Sequence, residues 1–335
     1  MVNYNDIAKI AKVSSATVSH VINKTRFVSV ETKNKVLEAM QELNYKPNLL
    51  ARSLATGVTH TIGLVISDIK NPFYPEIIQG VEELAVQSDY NIFLCNTDYD
   101  VEKGLKSIGA LIRKKVDGII IASSQADKFL FEELLESPTP FVLVDWNESN
   151  INVDSIYFDF ESGIREAVEY LISLGHKKIY FISGPKHLKT ASIRKNNFIN
   201  IIKSFKDERI SYKVIEGNHK IDGGINAAKE IEKEKDMPTS IICSNDLTAI
   251  GVMKTLQTDG ICIPDKISII GLDNITLSEI VTPSLTTIAL ERYLIGKSAV
   301  ELLLSRIKNK DIPKQTRYFN TQLIVRESTS KARNS

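Results

Sequence analysis

Arg194 and Asp273 are the charges in this sequence hardest to assign to a packed interior. Each lies just past an apolar, β-rich run, and a charge at a strand mouth needs a partner or a ligand. Other polar and aromatic residues sit in the same kind of place. Asn71, Phe73 and Tyr74 follow the run Thr61–Ser67, and Ser123 and Ser124 follow Asp117–Ala122. Asp145 and Trp146 follow Phe141–Val144, Thr190 precedes Arg194 after Lys178–Ser183, and His219 follows Lys213–Glu216. Asn245 and Asp246 follow Ser240–Cys243, and Asp273 follows Ile267–Leu272. A sugar ring calls for this mixture: aromatic faces against its C–H faces, and Asp, Asn and Arg as planar hydrogen-bonding groups for adjacent hydroxyls. The candidate ligand set is Asn71, Phe73, Tyr74, Ser124, Thr190, Arg194, His219, Asn245 and Asp273. Plainer duties compete at some positions: Phe73 as core, Asn71-Pro72 as a turn starter, Asp246 as a helix cap, Trp146 as hinge packing. No Gly-x-Gly-x-x-Gly, Walker-type phosphate loop or Gly-x-Ser-x-Gly elbow is present. With five histidines and no paired-carboxylate pattern, the expectation is a binding protein rather than an enzyme, with no cofactor and no metal site.

The elements that position these residues alternate. Between the runs lie amphipathic stretches at about Pro75–Ser88, Val101–Lys114, Phe129–Leu135, Phe160–Leu174, Thr190–Phe205, Ile221–Glu234 and Asp246–Asp259. Strands alternating with helices give parallel sheets covered on both faces. Two series, one opening at Thr61–Ser67 and one at Lys178–Ser183, imply two doubly wound lobes. Ligands in such sheets bind beyond the carboxyl ends of the strands, so the site belongs in the cleft between the lobes.

The first sixty residues have another design. Asn5 is expected to cap a helix Asp6–Lys12 with Ile7, Ala8 and Ala11 on one face. Ser14 then caps Ser15–Ile22, with Val18, Val21 and Ile22 inward, and Ser29 caps Val30–Leu43, with Val36, Leu37, Met40 and Leu43 inward. Two short helices on a tight turn, closed by a third, form a helix-turn-helix, whose second helix enters the major groove. The residues offered to base edges are Ser15, Ala16, Thr17, Ser19 and His20, with Asn23 at the helix end. A stretch of helix formers from Asn48 stops at Gly57, too short to be stable alone and therefore expected to form against DNA or a second chain.

Charge follows the same division. Residues 1–60 carry eight Lys/Arg and four Asp/Glu, a net +4, which leaves −3 for the rest of a chain whose total is +1. The three cysteines, Cys95, Cys243 and Cys262, flank apolar runs and are expected to pack inside as thiols. The N-terminus has no apolar signal core and no run is long enough for a membrane span, so the expected location is the cytoplasm, away from membranes.

The segment "DIAKIAKVSSATVSHVINKTRFVSVETKNKVLEAMQELNYKPNLLARSLATG" resembles the head and hinge of the LacI/GalR family of bacterial repressors. "NPFYPEIIQGVEELA", "KKVDGIIIASS", "LGHKKIYFISGP", "SNDLTAIGVMKTLQTDGICIPDKISIIGLDN" and "TPSLTTI" extend that resemblance along the body. It implies an all-α helix-turn-helix head at 1–46, a hinge helix and linker at 47–60, and a periplasmic-binding-protein-like body at 61–335. Lobe one would hold about 61–159 and 290–320, lobe two about 160–289 and 321–330, joined by three crossovers. The implied partners are double-stranded operator DNA, a second copy of the chain and a small effector. Asn48, Ala51, Leu54 and Ala55 would lie on the hinge helix, with Leu54 as an apolar wedge between base pairs. Within the family the ribose- and purine-responsive branches are nearest. "THTIG", "NPFY", "LCNT" and Lys189-Thr190 ahead of Arg194 resemble the ribose branch. Leu188 stands where the purine branch has its purine-binding arginine; His219 replaces a phenylalanine, and Leu290 a glutamine that helps hold ribose. D-ribose or a close pentose derivative is the expected effector. A purine base, another sugar, a phosphosugar (which a charged His219 would favour) and a phosphoprotein corepressor stay open. An uptake protein for sugars is the alternative from another class, and the basic head argues against it.

Overall fold

The computed structural model describes residues 2–23, 25–45, 53, 56–123, 134–145 and 152–333. The chain separates into two compact units, Met1–His60 and Thr61–Ser335.

The first unit is helical: α1 (Tyr4–Ala11), α2 (Ser15–Asn23) and α3 (Val30–Glu42). The cap of α1 is Asn3 rather than Asn5. The Asn3 side chain accepts from the Asn5 and Asp6 amides, and Asp6 accepts in return from the Asn3 amide at 3.0 Å. A reciprocal box satisfies two orphan donors at once, and so the helix starts earlier. Ser14 caps α2 through the Thr17 amide at 3.0 Å, and Ser29 caps α3 through the Thr32 amide. Ile7, Ala8, Ala11, Val18, Val36 and Ala39 form the buried core, with Met40 and Leu43 packed against it. Leu37 is 42% exposed, contrary to expectation: one residue past Val36 it is turned about 100° around the helix, and Ala39 takes the inward place. The expected hinge residues Asn48, Ala51, Leu54 and Ala55 lie outside the described residues.

The second unit holds, among the described residues, two six-stranded sheets. The first series runs β1 (Thr61–Ile66), α4 (Phe73–Gln87), β2 (Asn91–Asn96), α5 (Val101–Arg113), β3 (Gly118–Ala122), β4 (Phe141–Val144) and β5 (Asp154–Asp159). The second runs α6 (Phe160–Ser173), β6 (Lys178–Ser183), α7 (Lys189–Ser204), β7 (Ser211–Glu216), α8 (Ile221–Ile231), β8 (Ser240–Cys243), α9 (Asp246–Thr258), β9 (Ser268–Asp273), α10 (Leu277–Ile280) and β10 (Thr286–Ala289). Then α11 (Arg292–Lys308) and β11 (Thr316–Asn320) return to the first sheet, and β12 (Gln322–Ile324) to the second. The sheet orders are β11-β5-β4-β3-β1-β2 and β12-β10-β9-β8-β6-β7. All pairs are parallel except β10 with β12, so the second sheet ends on an antiparallel strand.

Strands β5, β10 and β11 are absent from the run-by-run reading. β5 opens on Asp154, which reads as a loop residue, yet it is buried against Arg306 (Nε to Oδ2 2.7 Å, Nη2 to Oδ1 3.0 Å). Two of the crossovers, that after β5 and that between β11 and β12, are tied together by Thr321. Its hydroxyl donates to the Asp159 carbonyl at 2.6 Å and accepts from the Gly163 amide at 2.9 Å. A Cβ on Gly163 would come within 2.4 Å of that oxygen, so only glycine allows the approach. Of the cysteines, Cys243 is buried and Cys95 half-buried; Cys262 is exposed, against expectation, because it falls in the turn between α9 and β9. No helix among the described residues is long and apolar enough to cross a membrane.

Candidate functional site

Seven strand mouths converge on one cavity lined by Asn71, Phe73, Tyr74, Tyr99, Asp145, Thr190, Arg194, His219, Asn245 and Asp273. It encloses about 360 Å³ of unfilled space, part of it open to solvent. The first five residues come from the lobe of β1, the last five from the lobe of β6. Eight of the nine proposed ligand residues are therefore brought together; Ser124, like Trp146, lies outside the described residues. Ser123 bonds the Ser67 hydroxyl at 3.0 Å and does not line the cavity.

Local chemistry sets each side chain. The Asn71 side-chain oxygen accepts from the Phe73 amide at 3.0 Å, opening α4. Phe73 and Tyr74 meet edge-to-face at 5.3 Å, and Phe73 also touches Phe158, so it is wall and core together. Thr190 and Arg194 stand one turn apart on α7 and share a face. Asn245 caps α9 through the Thr248 amide and donates to the His219 carbonyl at 2.8 Å, holding His219 at φ 60°.

Arg194 is 6% exposed. Its guanidinium stacks on Phe160 at 4.1 Å, donates to the Ser244 carbonyl at 2.6 Å and lies 3.8 Å from Asp273 Oδ1. That separation is an ion pair but too long for a hydrogen bond. Arg194 Nε and Asp273 Oδ1 are both buried without a hydrogen-bond partner, as is His219 Nε2. Such groups are costly to leave unmet and mark a place where something else binds. Burial and the Arg194 charge push His219 down to about 3. A neutral imidazole offers one donor and one acceptor, so the expectation that His219 would attract an anionic ligand is corrected.

Asp246 does not line the cavity, and the cap of α9 is Asn245. Asp246 instead receives the Thr287 hydroxyl at 2.5 Å and the Ile275 amide at 2.8 Å, fixing the turn after Asp273. Asp273 (φ 116°) and Asn274 (φ 54°) are both left-handed there. Across the lobes, Arg292 holds Glu76 of α4 at 2.6 Å and donates to the Asn274 carbonyl at 2.8 Å.

Burial raises Asp246 to about 8 and Asp273 to about 6; Arg194 and Arg292 oppose the shift at Asp273. Both folded-state values lie above the unfolded ones. The stability they contribute is complete below about pH 4 and is lost as pH rises through about 6 and about 8. Asp246→Asn is accordingly expected to flatten the fall in urea midpoint of the ligand-free protein between pH 6 and 8. An unchanged slope would show that Asp246 is ionised in the fold.

Tyr99 went unrecognised in the sequence, although it obeys the same rule as the others: it is an aromatic residue just past a strand, here β2. In the head, Ser15 and Ala16 are exposed on α2, and Thr17, Ser19, His20 and Asn23 are partly so. His20 Nδ1 bonds the Thr25 hydroxyl at 2.8 Å, which fixes the ring, and Asn23 donates to Ser19 at 3.1 Å. Phe27 beside them is 97% exposed, a second feature not singled out from the sequence.

Comparison with known proteins agrees with this division. Residues 3–48 match the profile of "Bacterial regulatory proteins, lacI family", and residues 59–325 match "Periplasmic binding proteins and sugar binding domain of LacI family". The chain is 40% identical over 332 residues to the HTH-type transcriptional repressor PurR of Vibrio vulnificus, covering 99% of each. Its structure is similar to the lac repressor dimer bound to operator and an anti-inducer, with a TM-score of 0.87 and 27% identity over 98% of this chain and 99% of that one. It is also similar to a LacI family regulator of Enterococcus faecalis with bound ribose, with a TM-score of 0.73 and 31% identity over 82% of this chain and 100% of that one.

Proposed function

Because this chain belongs to the LacI family of bacterial regulatory proteins and is a DNA-binding transcriptional repressor of that type, we propose that a pentose, D-ribose or a close derivative, controls it from the inter-lobe cavity. The observation that carries this reading is the unmet pair at the cavity floor. Arg194 Nε is a buried donor and Asp273 Oδ1 a buried acceptor, side by side. A sugar hydroxyl accepts from one and donates to the other, and a vicinal diol does so twice. Asn71, Thr190 and Asn245 supply further polar contacts, and Phe73 and Tyr74 the apolar faces. The ribose-bound relative supports the same choice.

A purine base is the second reading, favoured by the relatives named PurR. Against it, Leu188 is 2% exposed and apolar where a cation would pair the polar edge of a base. Leaving that edge unpaired costs about 1–3 kcal/mol.

The mechanism follows from lobe geometry. Ligand contacts come from both lobes and exist together only when the lobes are closed, so ligand stabilises the closed arrangement. The proposed output is a change in how two heads of a homodimer engage a pseudo-palindromic operator, through Ser15, Ala16, Thr17, Ser19, His20 and Asn23. Asn48, Ala51, Leu54 and Ala55 are proposed to act at the operator centre. The coupling is reciprocal: operator alters ligand affinity by the factor by which ligand alters operator affinity.

The test is operator-bound protein titrated in parallel with D-ribose, ribose 5-phosphate, hypoxanthine and guanine. A shift in operator affinity with ribose alone is the expected result. A response to a purine with none to ribose would replace this reading with the second.

A further inference from the structure

We propose that Tyr99 is a specificity-determining residue of the cavity, a phenol that limits the site to a single-ring ligand and excludes one carrying a second ring, such as a nucleoside. The proposal deepens the effector reading above and rests on it.

Three observations carry it. First, Tyr99 follows β2 of lobe one, yet it lines the same cavity as Arg194 and Asp273 of lobe two, the unmet pair. Second, it lines the cavity beside Asn71, whose side-chain oxygen is fixed by the Phe73 amide. Third, the backbone that presents it is strained. Asp98 (φ 53°) and Tyr99 (φ 58°) are consecutive left-handed residues, and neither is glycine. Side chains disfavour that conformation, and it persists only when its surroundings over-determine it. Here they do: Asn96 donates to Asp98 at 2.8 Å, Lys103 pairs with Asp98 at 2.6 Å, and the Tyr99 amide donates to the Ser67 carbonyl at 3.2 Å. A loop braced so heavily to keep an aromatic ring in a cavity is pre-organised for a ligand. Phe73, Tyr74 and Arg194 are buried and fixed around the same space, so the ring of Tyr99 is the wall whose removal enlarges it.

The test is calorimetric titration of the full-length protein and its Tyr99→Phe, Tyr99→Ala and Tyr99→Gly variants with D-ribose, hypoxanthine and inosine, which joins a ribose to a base. Wild type is expected to bind D-ribose, the single-ring probe, and reject inosine. Tyr99→Phe should weaken the single-ring ligand about tenfold, the loss of one hydrogen bond. Tyr99→Ala should weaken it further and admit inosine. Thermal melting checks the strain: Tyr99→Gly should melt above Tyr99→Ala, because glycine tolerates φ 58°. Unchanged single-ring affinity with continued rejection of inosine in Tyr99→Ala overturns the proposal, as does wild-type binding of inosine as tight as that of a single ring. Equal melting of the Gly and Ala variants overturns the strained-loop argument. Wild-type binding of hypoxanthine, a purine of two fused rings, overturns the single-ring limit, and with no binding of ribose it overturns the pentose reading as well. Binding of none of the three overturns both.

Discussion

Arg194→Ala is expected to raise the effector concentration needed for half-maximal response by about 100-fold or more. The guanidinium is buried against Phe160 and Ser244, and its Nε is the donor left unmet in the cavity. A hydrogen bond to a charged group contributes about 1.5–3 kcal/mol, and 1.4 kcal/mol is tenfold in affinity. The loss extends to Asp273. That carboxyl is already raised to about 6, and Arg194 is the first of the charges holding it down. Without Arg194 it moves further up and becomes protonated near neutral pH, so the charged acceptor is replaced by a weaker neutral one as the donor is lost. Arg194→Lys should not rescue, because an ammonium cannot reach Ser244, stack on Phe160 and present a planar donor at the same time. Calorimetry and the effector-dependent change in operator affinity are the measurements. A variant responding at the wild-type concentration would remove Arg194 from the site.

Asp154→Ala is expected to be the most damaging change to the fold. Asp154 and Arg306 are 2% and 3% exposed, and removing one member of a buried pair costs about 3–5 kcal/mol because the other stays charged and out of water. Domains of ordinary stability have about 5–15 kcal/mol in total. The urea midpoint should therefore fall steeply, and the melting temperature by roughly 10 °C. Asp154→Leu with Arg306→Met should recover only part of this. Arg306 also satisfies the Lys310, Ile312 and Pro313 carbonyls, and Asp154 the Gln315 amide, and these groups would be left unpaired. A midpoint within experimental error of wild type in Asp154→Ala would show that the pair is incidental to the fold.

Arg306 and Asp154 also show where reading the sequence failed. An aspartate at the head of a run looks like a loop, and its partner lies 152 residues away on another element, so strand β5 stayed hidden. Cys262 failed in the opposite sense: an apolar flank promised burial, but a turn exposes it. Leu37 and Asn3 were missed by one or two residues, within the resolution of helical periodicity and cap chemistry. The cavity was more legible. Each residue proposed for it follows an apolar run, and parallel sheets deliver the residues after their strands to one edge. Tyr99 met the same criterion and was missed only because it was not sought there.

The sequence by itself determined the helical head, the two doubly wound lobes, the excess of positive charge in the head and most of the residues that meet in the cleft. Those properties follow from local rules: periodicity, caps and the polarity of parallel strands. Only the tertiary structure decided which charges face each other, that His219 is neutral, that Asp246 clamps a loop instead of binding, and that Tyr99 completes the wall. Those are properties of burial and distance. Dielectric surroundings and the approach of residues far apart in the chain exist only after the lobes have folded around the site.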